Sequence, residues 1–337
     1  MKKSILAVSV AALFFTACSN SEDFETPQTQ KEIALNPVAQ KATRTPIEGT
    51  SFTTGQKIYV SAYNSESGKY FQGVEFKNDG NGTTWKAGQY WPINGVTSFL
   101  AYAATADVTS LNPTWGDKYA DKVEFDVTNG FYQAEAGAPK TPYIDLLYAS
   151  GEQLKEKDYT AVSMNFKHSG AWIVFNVKLG ENLTNADVII NNFSLLNVHK
   201  GGKLTIDNTI AGGAKASWDF TSCAAGEYQV ESFPQAASNT TNTGLTLNNS
   251  NQTFGVILPE QQQTAIQFKY TLSSTNSAFT AQTATYTHNL DRFNKWEMGK
   301  KYVYNITISF SEIKIEPSVT DWATSPAPAG DNNVTVQ

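Results

Sequence analysis

Hydrophobic and polar residues alternate along most of the chain with the two-residue period of β-strands. The clearest segment is 302–310, where Tyr302, Tyr304, Ile306, Ile308 and Phe310 fall on one face. No long apolar stripe has the helical period, and 185–192 is the one candidate for a short helix. The pattern therefore predicts an all-β protein. Its further predicted strands are 57–63, 70–76, 98–102, 122–127, 144–149, 162–167, 172–179, 193–198, 203–206, 254–258, 265–272 and 279–286.

The number of short strands and the length of 337 residues predict two β-sandwich domains. Residues 151–158 are charged and lack a strand pattern, so we place the boundary there, giving domains 45–156 and 157–322. A tail, 323–337, follows. Val334 and Val336 lie on one face of a short strand within that tail, which makes it a candidate for pairing with another sheet.

The first residues predict a signal peptide, 1–17. Lys2 and Lys3 precede an apolar stretch, 5–15, which is too short to span a bilayer as a helix. Small residues and then Cys18 follow, and 15–18 resembles a bacterial lipobox with Phe in place of the usual Leu. Lipidation of Cys18 would anchor the chain to a membrane. The alternative is an ordinary secretory signal with an incidental cysteine.

Residues 18–44 look like a detachable leader. Ile33 and Leu35 share one face of a predicted strand. Pro37 cannot donate a ladder hydrogen bond, so we expect this strand to lie at a sheet edge or to end there. Residues 41–46 have no apolar pattern and are predicted to be exposed to proteases. They contain Arg44, one of only two arginines in the chain.

The composition of the chain limits the kinds of functional site that it can contain. The net charge of −6 and the absence of a basic cluster exclude a nucleic-acid-binding protein. Cys223 is the only cysteine besides Cys18, so a free, partly buried thiol is expected. The three histidines have no metal-ligand spacing, and we find no phosphate-binding or nucleophile motif. We therefore predict no cofactor, no metal and no catalysis.

Four aromatic residues allow two interpretations. Trp85, Tyr90, Trp91 and Trp115 lie close together in the sequence, near predicted turns. They are candidates for a platform on which sugars stack. Such residues more often close the ends of a β-sandwich core, and we favour the core.

Several segments, in this order, resemble the fimbrillin family, the subunits of type V pili. They are Thr43-Arg44-Thr45-Pro46-Ile47, 52–60, Trp91-Pro92 leading into 99–103, 145–149, 166–168 and 319–322. The resemblance implies two tandem transthyretin-like β-sandwich domains after a lipoprotein signal peptide. It also implies an outer-membrane precursor, lipidated on Cys18, which an extracellular protease cleaves between Arg44 and Thr45.

Cleavage would remove a strand, 32–39, with Ile33, Leu35 and Val38, and leave a groove. The resemblance implies that the C-terminal segment of another subunit, with Val334 and Val336, fills that groove. The implied partners are other pilus subunits, of the same or another kind, in the shaft or at the tip. Surface molecules of a host or another bacterium are further candidate partners. The alternative function is a surface glycan-binding or adhesin lipoprotein that keeps its leader.

Overall fold

The computed structural model describes residues 31–38, 52, 57–78, 84–104, 111–131, 144–153, 160–180, 186–209, 213–230, 245–247, 252–274, 281–309 and 313–322. These residues contain β-strands and no α-helix, which confirms the all-β prediction. The strands up to residue 168 are β1 (Glu32–Val38), β2 (Lys57–Asn64), β3 (Gly68–Asn78), β4 (Trp85–Tyr90), β5 (Thr97–Ala104), β6 (Thr114–Trp115), β7 (Lys122–Asp126), β8 (Leu146–Gln153), β9 (Val162–Asn165) and β10 (Lys167–His168).

The remaining strands begin at residue 171, and several are short. They are β11 (Ala171–Leu179), β12 (Ala186–Val198), β13 (Lys203–Asp207), β14 (Lys215–Asp219), β15 (Gly226–Gln229), β16 (Leu245–Leu247), β17 (Gln252–Leu258), β18 (Gln261–Gln262), β19 (Ala265–Ser274), β20 (Gln282–Asn289), β21 (Lys295–Trp296), β22 (Lys300–Ile308) and β23 (Ile313–Asp321).

The first sandwich is one path of strands folded over itself. Its order is β10-β8-β5-β2-β3-β4-β1-β9. The long strand β3 belongs to both layers, because it pairs with β2 along 68–76 and with β4 only at Lys77 and Asn78. The two layers enclose a core to which each of these strands except β10 contributes. That core includes Ile33, Leu35, Ile58, Val60, Phe76, Trp85, Phe99, Leu147 and Met164.

A third layer covers the opposite face of the β5–β8 pair. It is the sheet β14-β13-β7-β6. Along β5, side chains alternate between the two cores, so that Phe99 lies in the first and Tyr102 in the second. The ring of Tyr102 lies 4.9 Å from that of Phe125 and 5.6 Å from that of Trp115. This alternation explains why β5 is buried on both faces.

The second sandwich packs the sheet β17-β11-β22-β23 against β15-β12-β19-β20, with β16 also on β12. Its centre is aromatic. Phe193 lies between Phe175, at 4.7 Å, and Phe268, at 5.5 Å, and Phe175 stacks on Tyr304 at 5.6 Å between ring centroids. These rings belong to the same cluster of buried residues as Tyr102 and Phe125, so the second core continues into the third layer.

The predicted helix at 185–192 is wrong, because 186–192 lie in β12. Val188 and Ile190 are fully buried on one face, as are Phe193 and Leu195 further along. The pairing with β19 shifts between Ile190 and Asn192. This bulge adds one residue and breaks the two-residue period that would have identified the strand.

Three strand pairings connect residues on opposite sides of the predicted domain boundary at 156/157. They are β9 with β1, β10 with β8, and β13 with β7. The boundary itself stays a prediction. The predicted strand at 162–167 is divided at Phe166, where the chain passes from β9 in one layer to β10 in the other.

Candidate functional site

The strand β1 lies between β4 and β9, so the expectation of a sheet edge is wrong, whereas the strand does end at Val38, one residue after Pro37. It pairs antiparallel with β4, with Glu32 opposite Tyr90 and Leu35 opposite Trp85. It pairs parallel with β9 from Leu35, opposite Val162, to Val38, opposite Asn165. Each half of β1 therefore has its own partner strand, and the two pairings overlap at Leu35.

This arrangement accommodates Pro37 in an internal strand. The pairing with β4 ends where β4 begins, at Trp85 opposite Leu35. Pro37 is paired on one side, with Met164 of β9. A proline is tolerated where one side of a strand does not require its N–H. Pro37 therefore lies where β1 is paired on one side only, although the strand as a whole is internal.

One face of β1 enters the first core. Ile33 and Leu35 have no exposed surface, and Pro37 is also buried. Phe52 packs beside them, with its ring 5.7 Å from Trp85 and 4.9 Å from Phe166. Burying one Ile and one Leu side chain contributes roughly 3–6 kcal/mol. The strand is therefore an integral part of the core.

Polar contacts hold the beginning of β1. Glu32 Oε1 accepts a hydrogen bond from the backbone N–H of Gly88 at 2.9 Å, and Oε2 lies 3.4 Å from Lys86 Nζ. Lys31 O accepts a hydrogen bond from the N–H of Trp91 at 2.9 Å. The ion pair is half-exposed and contributes little, so the main-chain contacts fix the position of the strand.

A glycine shapes β4 opposite this segment. The pairing shifts between Glu32 and Ala34, and on β4 the extra residues surround Gly88, which has φ +66. Residues other than glycine are strained in this backbone conformation. The sequence prediction missed β4, because a glycine inside Trp85–Tyr90 weakens a strand pattern. The available clue was that glycines within strands often indicate bulges.

Tyr70 supports β4 from outside the ladder. Its hydroxyl donates a hydrogen bond to the carbonyl oxygen of Tyr90 at 2.5 Å. Burial raises the pKa of the Tyr70 hydroxyl above its ordinary value. The group therefore keeps its proton, and remains a donor, at neutral pH.

The neighbours of β1 depend on it for pairing. Within the described ranges β9 pairs only with β1, and β4 pairs otherwise with β3 at Lys77 and Asn78 alone. Without β1, a gap would open between β4, which would be unpaired along the part opposite 32–35, and β9, which would be unpaired along the part opposite 35–38. We call this gap the strand slot. In this slot, unpaired backbone N–H and C=O groups would lie above apolar side chains of the core. Such groups are a strong template for pairing with another strand.

Of the four aromatic residues, Trp85 and Trp91 belong to the core, as favoured from the sequence. Trp85 is 2% and Trp91 7% exposed, so neither offers a ring to a sugar. Trp115 is half-buried against Tyr102. Tyr90, 46% exposed, lies at the surface. The sugar-stacking platform proposed as an alternative is therefore not formed by these tryptophans.

A buried polar pair of the first sandwich contacts the second sandwich through a tryptophan. His168 Nδ1 lies 2.9 Å from Asp145 Oδ1, and both side chains are almost completely buried. The ring of His168 stacks on Trp322 at 3.8 Å. Trp322 is 1% exposed and is the last described residue, so these contacts fix the point from which the tail departs.

The other predicted site residues lie mostly beyond the described ranges. Cys18, Arg44, Thr45, Val334 and Val336 are outside them. Cys223 is a free, buried thiol, close to the prediction. In the part of the chain that the structure describes, no group of three or more His, Cys, Asp or Glu residues could hold a metal ion. No helix there is long and apolar enough to cross a membrane.

Three solved structures from Bacteroides have folds similar to this one. A fimbrial protein from Bacteroides vulgatus ATCC 8482 has a TM-score of 0.59 and 15% identity, with 86% of this chain and 99% of that chain covered. A candidate cell adhesion protein from Bacteroides ovatus ATCC 8483 has a TM-score of 0.51 and 16% identity, covering 88% and 100%. Another from Bacteroides uniformis ATCC 8492 has a TM-score of 0.50 and 17% identity, covering 86% and 99%.

Sequence comparison gives the family. No curated protein matches the chain. The model of the family described as fimbrillin-like matches residues 41–322, which include every strand from β2 to β23 and leave out β1. Because the match extends over most of the sequence, this chain belongs to the fimbrillin-like family.

Proposed function

We propose that this chain is a structural subunit of a cell-surface pilus that polymerises by strand exchange. In the precursor, β1 fills the strand slot. Proteolysis after Arg44 frees the leader, and the tail of another subunit takes the place of β1. The observation that carries this proposal is the position of β1. Ile33 and Leu35 of β1 are buried in the core of the first sandwich. The covalent connection between β1 and the proposed mature subunit runs only through the segment that contains Arg44.

Export and anchoring are part of the same proposal. Residues 1–17 direct secretion, and a lipid on Cys18 holds the precursor at the outer membrane, at the cell surface. Cleavage between Arg44 and Thr45 separates the lipid and β1 from the mature subunit in one step. The partners are then other pilus subunits, and the mature chain acts structurally rather than as an enzyme.

The segment 331–337 of the tail can be aligned with the seven residues of β1. If Asp331 takes the place of Glu32, Val334 takes that of Leu35 and Val336 that of Pro37. An acidic side chain would again lie near the N–H of Gly88, and both valines would face the core. This register leaves Asn332 at the buried position of Ile33.

Main-chain pairing has to supply most of the binding free energy between two subunits. Burying two valines contributes roughly 3–4 kcal/mol. A nanomolar contact requires about 12 kcal/mol. Pairing with both β4 and β9 adds several hydrogen bonds, each contributing about 0.5–1.5 kcal/mol net. Covering two unpaired strands at once is therefore the main source of stability in the proposed exchange.

Replacing Arg44 tests the proposal. The variant Arg44→Ala is expected to remain a folded, lipidated monomer, because β1 stays covalently attached beside its slot. Arg292→Ala, which changes the only other arginine, is the control and should mature and polymerise as the unchanged chain does. Sequencing of the surface protein should give an N-terminus at Thr45 for the control and a blocked Cys18 for Arg44→Ala. Polymers of normal length formed by Arg44→Ala would exclude this mechanism.

A further inference from the structure

We propose that β20 is an interaction edge that pairs antiparallel with the β20 of a second copy of this chain. Among the described residues, β20 pairs only with β19, so one of its sides is open. Its eight residues include no charged residue, no proline and no glycine, and six of the eight are exposed. An exposed edge of this kind is a template for a further strand.

The other edges of the described sheets are charged, short or, in β17, mostly buried. Strand β23 carries Lys314, Glu316 and Pro317. Strand β14 begins with Lys215 and ends with Asp219. Charges and prolines on edge strands prevent pairing with other chains, and very short strands do so as well. By this comparison, β20 is the long, exposed edge that lacks such protection.

Contacts with β19 hold β20 in a defined orientation. Thr283 Oγ1 lies 3.0 Å from Thr271 Oγ1, and Thr287 Oγ1 accepts a hydrogen bond from Gln267 Nε2 at 3.1 Å. On the other face, the ring of Tyr286 packs 5.2 Å from that of Phe268 in the core. The strand is therefore ordered before a partner arrives, which reduces the entropic cost of pairing.

The side chains of β20 favour its own copy as the partner. In an antiparallel pair centred on Thr285, Thr283 lies opposite Thr287 and Thr285 lies opposite itself. Threonine pairs across strands are favourable, whereas like charges placed opposite each other are destabilising. The chain has a net charge of −6, but β20 brings no charge to meet its copy. A strand rich in charged residues would repel itself in the same arrangement.

A single pair of such strands is a weak contact. Stable protein interfaces bury about 1,200–2,000 Å². Two eight-residue strands bury less than that, so free chains should associate only at high concentration. In a polymer, which rests on the proposed function, the contact would repeat along neighbouring filaments, and the repeats would strengthen one another. We infer lateral association of filaments from this edge.

The pairing can be tested on the full chain with its leader attached. A Cys18→Ser background prevents lipidation, so that no acyl chain drives association. We expect concentration-dependent dimers in sedimentation velocity, and Thr285→Lys should weaken them at least about tenfold by opposing two lysines. Ser217→Lys is the matched control, because Ser217 is an exposed hydroxyl residue in the middle of the edge strand β14. It should change the association by less than about twofold.

Mixing complementary variants gives the decisive result. Thr285→Lys and Thr285→Glu chains should each associate poorly alone, and an equimolar mixture should restore dimers. A Cys18→Ser chain with unchanged β20 that stays monomeric at millimolar concentration, or dimers that Thr285→Lys and Ser217→Lys weaken equally, would overturn the proposal. Since the leader stays attached, the outcome does not depend on strand exchange, which the Arg44→Ala experiment tests separately.

Discussion

Leu35→Ala is expected to lower the free energy of unfolding of the intact precursor by about 2–5 kcal/mol. Leu35 has no exposed surface and is the residue of β1 that is paired with both β4 and β9. Truncation removes apolar contacts in a core that also contains Trp85 and Met164, and it leaves a cavity there. Denaturant unfolding of the precursor in an Arg44→Ala background, which keeps β1 attached, measures the loss.

Asn36→Ala is the matched control for Leu35→Ala. Asn36 is the next residue of the same strand, but its side chain is half-buried on the opposite face. We expect a change of less than about 1 kcal/mol. Equal effects of the two substitutions would mean that β1 does not present Leu35 to the core, and the strand slot would then not be the site of exchange.

The local pattern of β1 is readable from the sequence, but its partners are not. The alternation of Ile33 and Leu35 identifies a strand and its buried face. The neighbours of that strand come from 85–90 and 162–165, more than fifty and more than a hundred residues away. The alternation of apolar and polar residues within one strand does not indicate which distant strands pair with it. Sheet order therefore had to come from the structure.

Bulges explain the elements that sequence patterns missed. Gly88 adds residues to β4 opposite Glu32 and Ala34, and the extra residue after Ile190 changes the face of every later residue in β12. A slip of one residue exchanges the buried and exposed faces of a strand. For this reason the pattern does not predict β4, and it predicts a strand only for the second half of β12, 193–198, and a short helix for the first half. In β4, the irregular position lies in the wall of the strand slot.

Asn332→Ile is expected to slow the dissociation of mature subunits from a polymer by roughly a hundredfold. In the proposed register, Asn332 occupies the place of Ile33, which has no exposed surface. An amide buried there without partners is unfavourable, and an isoleucine would fill the site that its counterpart fills in the precursor. The combined gain is about 3 kcal/mol, which corresponds to this factor. Dilution of purified polymers, followed over time, measures the dissociation rate.

Asn333→Ile decides whether that register is correct. Asn333 takes the place of Ala34, which is half-buried on the opposite face of β1, so the same new side chain should change the rate less than about tenfold. If Asn333→Ile slows dissociation and Asn332→Ile does not, the tail enters the slot shifted by one residue, because such a shift exchanges the two faces. If neither variant changes the rate, 331–337 is not the donor strand, and the strand slot must be filled by another segment.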